Sequence, residues 1–191
     1  MKVNNHLIRC REVIANYNGV MIGIDPGTKI IVVAIVKDRN PIFCGRIKSN
    51  GKTVIERLGD IGNQVLRQNF FGLANLKNDG TFQFFGIENQ HVSRYSSVIQ
   101  VAQSMGYLMR IMYPAIAIEV QPQWGHKALC GRVMQVPDSE MVDMALSLCT
   151  NAVILDTIDS NAAHALGIAI AAHDIIINLQ ENKLDESIRK N

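Results

Sequence analysis

The first half of the chain sorts its apolar residues into short branched runs divided by polar turns. Residues 20–25 (VMIGID) are apolar until they end on an acid, and Asp25-Pro26-Gly27-Thr28 then supplies turn residues. Residues 30–36 (IIVVAIV) are β-branched and too few for a typical helix, which predicts a strand. Lys37-Asp38-Arg39-Asn40 is a polar turn, and residues 41–47 predict a third strand, so the three form an antiparallel meander. From 53 to 68 the period changes: Val54, Ile55, Leu58, Ile61, Val65 and Leu66 recur at helical spacing. Residues 69–80 are a loop with Phe70 and Phe71 side by side, and 82–88 predict a fourth strand that again ends on an acid, Glu88. A helix over 92–113 closes at Pro114, a fifth strand covers 116–120, and 122–131 form a loop or short helix around Trp124. Pro137-Asp138-Ser139-Glu140 opens a helix through 148. Asp159-Ser160-Asn161 caps a last helix to about residue 180.

That order predicts a five-stranded mixed sheet with helices on both faces, an α/β domain over 20–180. Residues 1–19 are expected as an N-terminal arm, and 181–191 as a charged, frayed tail. In the last helix Ala163, Gly167 and Ala171 recur every four residues, a row that would let the helix backbone lie close to the sheet. Gly167 costs about 1 kcal/mol of helix propensity relative to alanine, so a packing reason is expected.

Composition narrows the classes. With 191 residues, 48% hydrophobic and 19% charged, the chain can bury a core without disulfides, and a largely disordered protein is excluded. A net charge of +2 leaves nucleic-acid binding to a local cluster of basic groups. The four cysteines, Cys10, Cys44, Cys130 and Cys149, lack zinc-site spacing and read as reduced thiols of a cytoplasmic protein. Residues 162–179 reach the minimum length of a membrane span but contain His164, His173 and Asp174, so a buried helix is expected and no membrane.

Asp25 and Glu88 carry the candidate chemistry. Sites in open α/β sheets gather at the carboxyl ends of strands, where a carboxylate has a rigid base and a solvated head. If the two strands are neighbours, both heads reach one hard cation, and Mg²⁺ or Mn²⁺ favours such oxygen ligands. Ions held this way activate a water and stabilise the leaving oxygen of a phosphodiester. The plainer alternative is that each acid accepts loop hydrogen bonds.

Five segments appear in order: GIDPGT at 23–28, IENQ at 87–90, YSSVIQVAQSMGYL at 95–108, EVQPQWGHKALCG at 119–131 and NAAHALGIAIAAH at 161–173. Together they resemble the RuvC-like Holliday-junction resolvases (crossover junction endodeoxyribonucleases), most of all the phage-type branch, over residues 20–175. The resemblance implies a ribonuclease H-like fold, a homodimer, one or two Mg²⁺ or Mn²⁺ ions per subunit, and metal-dependent nicking of four-way or branched DNA in a bacterial or phage-infected cell. Asp25 matches the first-strand catalytic aspartate and Glu88 the fourth-strand glutamate. The family closes its site with acids, or a histidine and an acid, at the start of the last helix; here those positions hold Asn161 and His164. Asp159 is then the candidate for the missing negative charge, ahead of Asp156, which reads as a loop residue. His164 is a metal ligand or proton carrier, or else a buried histidine bonded to backbone. His173 falls on about the opposite face of the helix and reads as packing or surface.

For DNA, the resemblance and the basic and aromatic residues near strand ends point to Lys29, Arg94, Tyr95, Trp124 and Lys127. Trp124 has a core anchor as its competing role. Phe70 or Phe71 is a candidate junction wedge or part of a dimer interface. Three other readings compete: an actin-like or sugar-kinase-like ATPase, for which GIDPGTK is a partial match without the second phosphate loop; a catalytically impaired junction-binding or structural protein on the same fold; and a nuclease of relaxed preference for branched or flap DNA.

Overall fold

A computed structural model describes residues 12–27, 29–67, 83–88, 96–112, 115–133, 136–155 and 157–188. The strands are β1 (Val20–Asp25), β2 (Ile30–Lys37), β3 (Asn40–Lys48), β4 (Phe84–Glu88), β5 (Ile116–Val120) and β6 (Val153–Ile154). The helices are α1 (Val54–Arg67), α2 (Ser96–Ile111), α3 (Pro122–Cys130), α4 (Asp138–Leu148) and α5 (Ser160–Ile188). The sheet runs β5-β4-β1-β2-β3-β6. The first three strands form the expected antiparallel meander, and β4 and β5 add in parallel beside β1.

The sheet has six strands rather than five. A 3₁₀ turn at Cys149–Asn151 leads into β6, which pairs in parallel with Phe43 and Cys44 on the outer edge of β3. Two residues are too few to leave a period in the sequence. The stretch 122–131, open between loop and helix, is the helix α3, with Pro122 in its first turn and Gly131 in the left-handed conformation (φ 76°) after its end. The last helix continues past residue 180 to Ile188, because residues 181–188 hold no glycine or proline to stop it.

The meander is made possible by a two-residue turn. Asp38 and Arg39 both have positive φ (48° and 68°), as a hairpin turn matched to strand twist requires. Arg39 then pairs with Asp174 of α5 and donates to the Ala128 carbonyl of α3, at 3.3 Å, tying the hairpin to both helices.

The core has two layers. Ile22, Ile24, Val33, Ile35, Phe85 and Ile87 face α1 and α2. Met21, Val32, Ala34 and Phe84 face α3, α4 and the almost wholly apolar first half of α5. By length and hydropathy Ser160–Glu181 could cross a membrane, but two-thirds of it is buried inside the domain.

Glycines bring α5 onto the sheet. Gly23 and Gly86 are register partners on β1 and β4. A Cβ on Gly23 would stand 2.1 Å from the Ala165 carbonyl and 2.5 Å from the Ala169 nitrogen; on Gly86 it would stand 2.7 Å from the Ala172 Cβ. The small residues over the sheet are therefore Ala165, Ala169 and Ala172. Gly167 of the predicted row turns instead to α3, where an added Cβ would lie 2.8 Å from the Gly125 carbonyl oxygen. A four-residue row identifies a helix face but not the neighbour that face will meet.

At the end of the sheet away from Asp25 and Glu88, residues 12–17 lie across α5. Gln180 Nε2 donates to the Ile14 carbonyl at 2.7 Å, and Gln83 Nε2 donates to the Asn16 carbonyl at 3.1 Å. Tyr17 Oη and Nδ1 of the buried His173 share a hydrogen bond of 2.9 Å, with the Tyr17 ring edge-on to Phe84. Burial, then the carboxylates of Asp38 and Asp174, push the Tyr17 phenol well above its usual range, and burial lowers the His173 pKa. Both partners are thus neutral at pH 7. Tyr17→Phe is expected to cost about 1 kcal/mol in urea unfolding, the ordinary contribution of one neutral hydrogen bond, with little change in pH dependence between 6 and 8.

Candidate active site at the carboxyl ends of β1 and β4

β1 and β4 pair in parallel with Ile24 beside Ile87, so Asp25 and Glu88, the last residues of the two strands, stand at neighbouring positions at their carboxyl ends. Each closes an apolar strand whose preceding residues are buried. Burial first, then the Glu88 carboxylate, raise the Asp25 pKa to about 6; Asp159 adds to the rise and His164 opposes it. The other three residues proposed for the chemistry, Glu88, Asp159 and His164, thus all act on the Asp25 carboxylate. Two acids held this close repel each other without a compensating positive charge, and a divalent cation supplies one. The oxygen donors, their spacing along adjacent strands and the strained ionisation of Asp25 fit such an ion. Among the described residues, no three His, Cys, Asp or Glu side chains already converge to enclose one.

Asp159 has other partners as well. Its Oδ1 accepts the Ala162 amide at 3.1 Å, capping α5, and also pairs with the Arg46 guanidinium of β3, which in turn donates to the Thr157 carbonyl at 3.1 Å. Burial acts to raise the Asp159 pKa, but the Ala162 amide and Arg46 outweigh it and hold the carboxyl below its usual range. Cap and ion pair separate cleanly by substitution. Asp159→Ala is expected to lose roughly 1–2 kcal/mol in denaturant melts, and Asp159→Ser, which keeps a capping oxygen, less than half of that.

His164 sits one turn into α5, partly buried, and faces a pocket lined by Glu88, Pro122, His126 and Met141. Its ring centre is 5.7 Å from that of His126, with the planes tilted by 43°. Burial and then His164 hold the His126 pKa below its ordinary value, while Glu88 and Asp138 pull it the other way. His126 is the site residue that the sequence reading passed over among its basic neighbours. Only once 122–130 is known to be helical do His126 and Trp124 project in different directions, and the sequence left that stretch open between loop and helix. Asn161 is exposed at the start of α5.

Of the residues proposed for DNA, Lys29, Trp124 and Lys127 are exposed; Trp124 retains 42% of its surface and is no core anchor. Arg94, Tyr95, Phe70, Phe71 and the alternative acid Asp156 lie outside the described residues.

No family model and no curated protein matches the chain. Solved structures do. RuvC of Thermus thermophilus in complex with a Holliday-junction substrate superimposes with a TM-score of 0.61 at 19% identity, over 83% of this chain and 95% of that one. A second T. thermophilus RuvC structure gives the same score and identity, over 83% of this chain and 96% of that one. The yeast mitochondrial Holliday-junction resolvase Ydc2 gives 0.52 at 10% identity, over 90% and 89% of the two chains. The likeness covers 83–90% of this chain and 89–96% of the others, and it is a likeness of fold: this chain has the ribonuclease H-like fold of the RuvC-type resolvases.

Proposed function

We propose that the chain is a structure-selective endonuclease that cuts four-way or branched DNA by metal-dependent phosphodiester hydrolysis. The observation that carries the reading is the pair of carboxylates, Asp25 and Glu88, at neighbouring positions on adjacent parallel strands with the Asp25 pKa raised to about 6. The fold shared with RuvC bound to a junction supports the choice of substrate.

Asp25 and Glu88 would hold Mg²⁺ or Mn²⁺, with Asp159 and His164 completing the site. An ion bound there supplies an activated water and charge stabilisation at the leaving oxygen, leaving 5′-phosphate and 3′-hydroxyl ends. The protein's own part is positional. Rigid strand ends fix the two carboxylates, and the cap and ion pair at Asp159 fix where α5 begins, so His164 faces Glu88 across the pocket. Lys29, Trp124 and Lys127 offer phosphate and stacking contacts around that cleft. Two copies of the chain, related by a two-fold axis, would each make one cut on a two-fold junction.

The test is a labelled synthetic four-way junction incubated with Mg²⁺, Mn²⁺ or EDTA. Paired nicks that need the metal are expected. Tight junction binding without nicks in either metal would instead favour a protein that kept the fold and the DNA but lost the chemistry.

A further inference from the structure

β3 runs past the cleft and carries a basic corner to its rim. Asp25 pairs with Val32 and Val32 with Arg46, so the three stand in one cross-strand row. β3 goes two residues further, to Lys48, which pairs with Ile30. Side chains two apart on a strand share a face, so Lys48 leaves the sheet on the face of Asp25 and Arg46, roughly 10 Å across the strands and ~7 Å beyond the row. The Ser49 amide donates to the Lys29 carbonyl at 2.9 Å, which holds a second lysine beside the strand end. The loop then passes through Lys52 into α1, whose first turn carries Ile55. Lys29, Lys48 and Lys52 are exposed, and Ile55 keeps 83% of its surface, the most of any large apolar side chain among the described residues.

The acids of this corner are turned into the loop. Glu56 Oε2 accepts the Lys52 and Thr53 amides at 2.7 and 3.2 Å, and Asp60 Oδ2 accepts the Ser49 hydroxyl at 3.0 Å. The Glu56 amide in turn donates to Thr53 Oγ1 at 3.2 Å, so α1 is capped by its own residues. What the corner offers a ligand is ammonium groups and one aliphatic side chain.

We propose that this corner is a docking surface for a duplex DNA arm leaving the cleft. Lys48 and Lys52, continuing from Lys29, hold phosphates of one strand, and Ile55 packs on the sugars and base edges of the adjoining groove. The inference rests on the reading of the chain as a nuclease of branched DNA. Charge complementarity selects the partner: phosphates recur at regular intervals along DNA, and spaced lysines neutralise them one by one. An aliphatic side chain held among cations at a helix start meets water in the free protein and apolar groove surface once DNA is bound. The corner adjoins the cleft without entering it, so it sets the path of the DNA beside the cut.

Binding of a synthetic four-way junction is measured in EDTA across a salt series. The proteins are the wild type, Lys48→Gln, Lys52→Gln, Ile55→Asn and, as a control at the opposite end of the sheet, Lys37→Gln. All four side chains are exposed, and circular-dichroism melts check each fold. Each corner lysine variant is expected to lower the slope of log affinity against log salt concentration by about 1, and Lys37→Gln to leave it unchanged. Ile55→Asn is expected to weaken binding about five- to tenfold at an unchanged slope, because only apolar contact is lost. In the wild type, the junction should protect Lys48 and Lys52 from acetylation and leave Lys37 reactive, a readout that needs no variant. Unchanged slopes in both corner lysine variants, or equal acetylation of Lys48 and Lys52 with and without the junction, would overturn the docking surface and leave the nuclease reading standing. Normal affinity in Ile55→Asn would overturn the groove contact. The expected corner effects in a protein that cuts no junction would sink the nuclease chemistry alone, and a wild type that binds no junction would overturn both.

Discussion

Asp25→Asn is expected to abolish strand cutting, by about a thousandfold or more, while leaving junction binding within a few-fold and making the protein more stable. The first two effects follow from a metal-holding role: the amide keeps the shape of the carboxylate and loses its charge. The third follows from the raised pKa. The Asp25 carboxyl titrates near 6 in the folded state against 3.8 for an ordinary aspartate. A carboxyl raised on folding favours the folded state as pH falls through the folded value, and weighs against it above that value. Above pH 6 the wild type therefore carries an unfavourable contribution of roughly 1–3 kcal/mol that asparagine lacks. The gain should be largest at pH 7–8 in the presence of a chelator and disappear by about pH 4. Saturating Mg²⁺ should raise the wild-type Tm and leave the variant's nearly unchanged. Urea melts at the two pH values measure the first, and thermal melts with and without Mg²⁺ the second. A variant that loses cutting, binding and stability together would mean that Asp25 is structural.

Gly23→Ala should damage the fold more than any substitution at the cleft. Its Cβ would meet backbone, the Ala165 carbonyl at 2.1 Å and the Ala169 nitrogen at 2.5 Å, and neither can turn aside as a side chain could. Relief requires α5 to lift off β1, the central strand it covers. Overpacking of this kind costs about 1–3 kcal/mol and more where backbone must move, so the upper end or beyond is expected. Gly23 lies two residues before Asp25, and Ala165 follows His164, so the same lift would pull the histidine from the carboxylates. Cutting should fall more steeply than the folded fraction does, a difference read by comparing specific activity with the circular-dichroism melt. Wild-type-like stability would mean that the helix has slack over the strand.

What the sequence revealed and what it concealed divide along physical lines. The meander, the long apolar helix and the strand-end placement of Asp25 and Glu88 were legible, because each depends on residues close together in the chain: a β-branched run, a turn, an acid at the end of an apolar stretch. The partners of Asp159 were not. Arg46 lies on β3, and nothing local announces that its guanidinium will meet the α5 cap. His126 was hidden for the same reason, since its place in the pocket depends on α3 crossing α5 at Gly125 and Gly167. β6 left no trace because a two-residue strand has no period. Long-range pairings are set by packing, and one-dimensional patterns do not carry them.

β1 is hydrogen-bonded on both edges, to β2 and to β4, and covered on both faces. Its amides from Met21 to Ile24 then have no local route to solvent, and their hydrogen exchange should require unfolding of the whole domain. The acid at the end of that strand is carried by the slowest-exchanging segment of the molecule. Amide exchange along β1 would therefore give the global stability of the domain directly, residue by residue, and a bound ion at Asp25 should slow all of these amides by one common factor.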